Sequence, residues 1–148
     1  MERMIMVPKH LAVALAEIGE TEIPGPQSNK RISEYLEMVG MPSSDEIPWC
    51  SAFVDWVVGQ VHIAGTHDAA ARSWSLWGRQ CSPRLGSIVV LKRGSQPWMG
   101  HVGFLLDSGG GMVRLLGGNQ RDRVGVNAYA KSRVITYRWS DDFEHIAI

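Results

Sequence analysis

The sequence predicts an α+β fold in which N-terminal helices pack on a C-terminal antiparallel β-sheet. Apolar residues recur at helical spacing through the first half of the chain. After Pro83 only short β-type runs remain, parted by Gly and Asp/Ser turns. No repeat, low-complexity segment or interdomain linker interrupts the 148 residues, a length suited to one domain with a real core. The expectation is therefore a single catalytic-size domain over 1–148, with no separate binding domain.

The elements follow in order. Pro8 suits the first turn of a helix in which Leu11, Leu15 and Ile18 share a face until Gly19. The stretch from Thr21 to Ser28 reads as a loop on its Pro and Gly content. Ser28 or Asn29 can cap a second helix, whose Ile32, Tyr35, Leu36 and Val39 form one face before Gly40. A third helix runs from Cys50 to Gln60, with Phe53, Val54, Val57 and Val61 in register. Asp68 caps a fourth, through Ala71 and Trp74 to Trp77, closed by Gly78. Strands are expected at 87–91, 102–106, 112–116, 124–126 and 134–137, with Asp107-Ser108-Gly109-Gly110-Gly111 as a hairpin loop.

Fifteen basic and fifteen acidic residues cancel, which argues against a nucleic-acid surface or an electrostatic membrane anchor. Lys92, Arg93, Arg121 and Arg123 read as solvated residues at strand edges and turns. The segment Met1–Pro8 lacks the apolar length and cleavage site of a secretory signal, and no run approaches the ~18 apolar residues of a membrane span. Synthesis in the cytoplasm is expected, so Cys50 and Cys81 are read as two separate thiols. His62 and His67 lie five apart, off a common helical face and without a nearby ligand partner, so neither metal nor cofactor is expected.

Cys50 is the residue with chemical promise. It follows Ile47-Pro48-Trp49 and opens an apolar helix, where free N–H groups and the helix dipole favour a thiolate. The competing reading is a buried core cysteine, since it shares a helical face with Phe53, Val54 and Val57. No Gly-x-Ser-x-Gly elbow or phosphate-binding loop competes with it. Among five histidines, His101 stands apart: it opens a buried-type strand, and Gly100 and Gly103 leave room for a substrate.

A third group should orient the imidazole. If the hairpin loop centres on Gly109, then Leu106 faces Met112, Gly103 faces Leu115 and His101 faces Gly117. Alternation then puts Asn119 on the face of His101, diagonally beside it, and Gln120 away from it. A four-residue loop flips the parity and favours Gln120, while Asp122 lies further along a turn. Gly117 and Gly118 would leave the space above His101 empty, as a cleft requires. Trp49, Arg72 and Trp98 are candidates for the cleft wall, with Gln120 a further substrate contact.

The order Cys, His, Asn resembles papain-like enzymes. It is most similar to the bacterial and phage murein hydrolases called CHAP (cysteine, histidine-dependent amidohydrolase/peptidase) and their NlpC-type relatives. The resemblance rests on Trp49-Cys50-Ser51-Ala52-Phe53-Val54-x-Trp56, Gly100-His101-Val102-Gly103 and Gly117-Gly118-Asn119-Gln120. Upstream, Ile18-Gly19-x-x-Glu22-Ile23-x-Gly25, Asn29 and Ile32-x-x-Tyr35-Leu36 look like the lead-in of small phage-borne members, continued by Ala71-Arg72-Ser73-Trp74-x-x-Trp77-Gly78. One departure is Gly86-Ser87 where these families usually open the strand with Gly-Asp.

The resemblance implies a phage endolysin-like peptidoglycan hydrolase. Cys50 would attack a murein amide, His101 would hold the thiolate as an ion pair and Asn119 would fix the ring. It implies peptidoglycan as substrate, a holin-type membrane protein for release and a site of action at the cell wall in the periplasm. An interbacterial amidase toxin, an acyltransferase and a non-catalytic wall-binding or virion structural domain are the other readings.

Overall fold

The computed structural model describes residues 4–23, 29–41 and 49–148. The loop expected at Pro24–Ser28, the Ser28 cap and the Ile47-Pro48 lead-in lie outside these residues. Helices α1 (Lys9–Ala16), α2 (Lys30–Glu37) and α3 (Cys50–Gln60) precede most of the strands, and the fold class is the α+β arrangement expected. Strands β2 (Arg79–Gln80), β3 (Ile88–Lys92), β4 (Gly100–Gly109), β5 (Met112–Gly117), β6 (Gly125–Ala130) and β7 (Val134–Trp139) form an antiparallel sheet in the order β2-β7-β3-β4-β5-β6. A separate two-stranded ribbon joins β1 (Met6–Pro8) to β8 (His145–Ala147).

Helix α3 is the centre of the core. Every residue from Cys50 to Val58 is buried, the pattern of a helix enclosed on all sides. Ile88, Val90, Val102, Phe104 and Leu116 of the sheet belong to its cluster, as do Leu11 of α1 and Ile32, Tyr35 and Leu36 of α2. Alternation sends Val89, Leu91, Leu105, Val113 and Leu115 to the opposite face, under Tyr129, Val134 and Tyr137. Each fully buried aliphatic or Phe side chain contributes roughly 1.5–3 kcal/mol of transfer free energy.

The N-terminal elements show what local pattern can miss. Asn29 caps α2 as expected, its Oδ1 accepting the Arg31 and Ile32 N–H groups at 2.8 and 3.2 Å. In α1 the buried stripe is His10, Leu11 and Ala14, while Leu15 and Ile18 are exposed. The helix ends at Ala16, because Gly19 hydrogen-bonds instead to Val124 and turns the chain towards the sheet. The fourth helix is a 3-10 helix, Ala71–Leu76, and the Asp68 carboxylate accepts the Ala70 N–H at its start.

The hairpin differs in register. Gly110 and Gly111 (φ 59° and 76°) make the two-residue turn, so Gly109 pairs with Met112. A bulge between Leu105 and Asp107 then takes one residue back, leaving Phe104 opposite Leu116. The net displacement from the expected pairing is two residues, which preserves the alternation of faces but not the expected partners.

Candidate active site

Two residues of the sheet and one from the turn between β5 and β6 converge on one hydrogen-bonded group. His101, at the start of β4, is 4 % exposed. Its Nε2 lies 2.8 Å from Gln120 Oε1 and 3.3 Å from the Tyr129 hydroxyl, which itself donates to Gln120 Oε1 at 3.0 Å. The Gln120 amide has only one sensible orientation. Its Nε2 donates to the Leu115 and Gly125 carbonyls at 3.1 and 2.7 Å, which fixes Oε1 as the acceptor facing the ring. His101 must therefore carry its proton on Nε2 and present a lone pair at Nδ1.

Gln120, not Asn119, makes this contact. Strand β5 ends at Gly117, so alternation no longer governs the residues beyond it. Asn119, Arg121 and Asp122 are all left-handed (φ 57°, 55° and 62°), and the Gln120 N–H bonds to the Arg123 carbonyl. This tight turn swings Gln120 back beneath the imidazole and leaves Asn119 half-buried on the rim of the cavity beside it. Tyr129 was not anticipated because β6 runs to Ala130 rather than ending at Val126. In the observed register Tyr129 pairs with Val113, two steps from Asn127 on the same face.

Cys50 is the first residue of α3 and is 5 % exposed. The first helical hydrogen bond runs from the Phe53 N–H to the Trp49 carbonyl, so the Cys50 N–H precedes the ladder and is free of it. The sulfur is linked to the histidine strand through the backbone of Val102, the residue after His101. Among the described residues no hydrogen bond joins the thiol directly to the imidazole.

The electrostatics run against the expectation of a resting thiolate. Burial pushes the Cys50 thiol up, and the N–H groups of Val102 and Ser51 together with the Arg93 charge offset this only in part. Burial lowers His101 to about 4, with the Gln120 hydrogen bond opposing and Arg93 and Arg133 reinforcing. Both shifts run towards the neutral forms.

The structure also relocates the expected wall. Trp49 is fully buried, its indole N–H donating to Glu22 Oε1 at 2.6 Å and its ring stacked on Tyr35. A Cβ on Gly118 would lie 2.7 Å from the Trp49 ring and from Phe53 Cβ, and one on Gly117 would meet Gln120 Oε1 at 2.9 Å. These glycines make room for Trp49 and Gln120, not for a substrate. Likewise a Cβ on Gly100 or Gly103 would lie 3.0 Å from the Leu91 or Leu116 carbonyl oxygen. Trp98 is 70 % exposed and does line the groove that opens on Cys50, with Met99, Gly100 and Arg93. Arg72 supports that groove from behind, its Nε donating to the Met99 carbonyl at 2.8 Å.

A family model described as the CHAP domain matches residues 42–119, more than half of the chain. No curated protein matches the sequence. Among solved structures, NlpC1 from Trichomonas vaginalis is similar with a TM-score of 0.52 at 18% identity, covering 88% of this chain and 42% of its own. A protein from Staphylococcus aureus, described as similar to a lipoprotein of the NLP/P60 family, gives 0.53 at 18% identity, with 88% and 40% covered. The chain thus spans about two fifths of the length of these neighbours. Their likeness establishes the fold, which is the papain-like one of the NlpC/P60 proteins.

Proposed function

The chain belongs to the CHAP domain family, generally cysteine peptidases and amidases acting on peptidoglycan, and we propose that it hydrolyses an amide or peptide bond of murein with Cys50 as nucleophile. The observation that carries this reading is the His101–Gln120–Tyr129 group, which leaves a basic Nδ1 on the residue next to the backbone that holds Cys50.

The reaction divides into two balanced halves. His101 Nδ1 takes the thiol proton as Sγ bonds to the carbonyl carbon, and the Cys50 N–H at the helix start receives the developing oxyanion. The carbon–nitrogen bond then breaks as the imidazolium returns its proton to the departing amine, leaving a thioester. Water enters next. It gives a proton to His101 while its oxygen bonds to the acyl carbon, and the sulfur leaves with that proton as the carboxylic acid is released. Because both shifts favour the neutral forms, proton transfer would accompany attack rather than precede it. Gln120 holds the ring throughout without itself changing charge.

In its setting the enzyme would serve a phage-type lysis step, made in the host cytoplasm and reaching the wall once a holin-type protein has opened the membrane. Purified murein digested with the wild type and with Cys50→Ala, followed by mass spectrometry of the released ends, tests the reading. New amine and carboxyl ends are expected with the wild type alone. Equal ends from both proteins, or none from either, overturn it.

A further inference from the structure

A cavity of about 210 Å³ lies against the His101 ring, and its charged wall is entirely cationic. Arg93, Arg121 and Arg133 line it together with Tyr129 and Asn127, and no carboxylate does. Three arginines elsewhere are ion-paired, Arg31 with Glu17 and Glu34, Arg79 with Asp141 and Arg114 with Asp107. Among the described residues none of the three cavity arginines has an acidic partner. Three guanidiniums facing one another across a small basin repel, and a neighbouring buried imidazole adds no compensating charge.

Two of the three are placed rather than adrift. Arg133 donates from Nε to the Lys92 carbonyl at 3.1 Å, and its guanidinium sits 5.2 Å from the centre of the Tyr129 ring. That anchoring engages Nε and leaves the terminal NH₂ groups for a ligand. Arg93 lines both this cavity and the Cys50 groove, so it stands at the junction between nucleophile and base. A planar two-oxygen anion is the ligand that such a fork matches.

On the reading of the chain as a murein hydrolase, we propose that this basin is a carboxylate subsite, in which Arg93 and Arg133 hold a free carboxylate of the stem peptide while the neighbouring amide lies over Cys50. Arg93, read from sequence as a solvated edge charge, becomes with Arg133 a selector of an anionic substrate. Arg121, exposed on the turn that carries Gln120, adds to the field at the rim.

Synthetic stem peptides separate the possible sources of the carboxylate. One series carries isoglutamate or isoglutamine at the second residue, another diaminopimelate or lysine at the third, another a free or amidated C-terminus. Binding is measured calorimetrically to Cys50→Ala, and to Cys50→Ala carrying Arg93→Gln and Arg133→Gln. Losing one of the three carboxylates is expected to weaken binding about tenfold in the first protein and not at all in the second. Arg133→Lys should recover only part of that preference, whereas Arg114→Gln, remote on the hairpin, should keep all of it. Equal affinity for all the peptides, or a preference that survives the double substitution, overturns the subsite. If the wild type still cleaves every peptide with the same kcat/KM, the subsite falls and the hydrolase stands. If it cuts neither peptides nor murein, both fall together.

Discussion

Two histidines of this protein are equally buried and equally disinclined to charge. On the proposed mechanism only one serves as a base. His10 and His101 are 1 % and 4 % exposed, and burial brings both down to about 4. His10 is stacked on Phe143, with ring centres 3.6 Å apart, and near Phe104 and Trp139. Its Nε2–H donates to the Gly86 carbonyl at 2.7 Å, and its Nδ1 is buried without a partner. It borders a cavity of about 220 Å³, but no thiol or hydroxyl lines that space. His101 has a side-chain amide fixed by two carbonyls on one nitrogen and a thiol-bearing helix start across the β4 backbone from it. Depression by burial is therefore common property. What sets the two rings apart is the partner that holds each Nε2.

The widest gap between the two should appear in turnover. His101→Ala is expected to lower kcat/KM on murein by about 10³-fold or more, the span of a lost general acid and base. His10→Phe, which keeps the stack on Phe143, should leave kcat/KM within about twofold. Dye release from labelled murein measures both. A comparable loss from the two substitutions would mean that His101, too, matters only for packing.

Stability against pH should show where the two rings are alike. Each imidazole binds its proton near 6.5 when unfolded and near 4 when folded, so the folded state holds fewer protons between those values. Their contribution is full above pH 6.5 and drains as pH falls to about 4, on the order of 3 kcal/mol for each ring. Asp55 runs the other way. Its buried carboxyl is raised from 3.8 to about 6, so its contribution is present in acid and lost as pH rises through 6. One imidazole's worth of net acid lability remains. His10→Phe should remove it, giving nearly flat urea midpoints from pH 6.5 to 4.5 where the wild type declines. Parallel curves for the two proteins would show that His10 is not depressed.

How far the site could be read in advance follows from the range of the forces that build it. Cys50 at a helix start and His101 at a strand start are local facts of Pro-Trp, apolar periodicity and flanking glycine. The helix cap at Asn29 is local as well. Gln120 stood only as the alternative to Asn119, because choosing it required knowing where a bulge falls, that β5 stops at Gly117, and that three non-glycine residues then adopt left-handed backbone. The β1–β8 ribbon joins the two ends of the chain and leaves no mark on either segment alone. Trp49 misled for a different reason: an aromatic beside a nucleophile looks like a wall, yet Glu22 receives its indole N–H inside the core.

The finest distinction lies in the tautomer. His10 is held by a backbone carbonyl that no substitution removes, whereas His101 depends on a replaceable amide. Gln120→Leu preserves volume but deletes the acceptor, and it leaves the Leu115 and Gly125 carbonyls without their donors. The ring could then place its proton on either nitrogen, and the fraction with a lone pair at Nδ1 would fall as the ring also loosened. A drop in kcat of about a hundredfold is expected, with KM little changed, because the amide acts on the base rather than on the substrate. Tyr129→Phe removes only the second donor to Gln120 Oε1 and should cost about tenfold or less. Nitrogen-15 spectra of the His101 ring supply the readout that a packing defect would not move: a single Nε2–H tautomer in the wild type and in Tyr129→Phe, and a mixture in Gln120→Leu. If Gln120→Leu retains the wild-type tautomer and rate, the amide is packing, and the contrast between the two histidines must rest on the thiol alone.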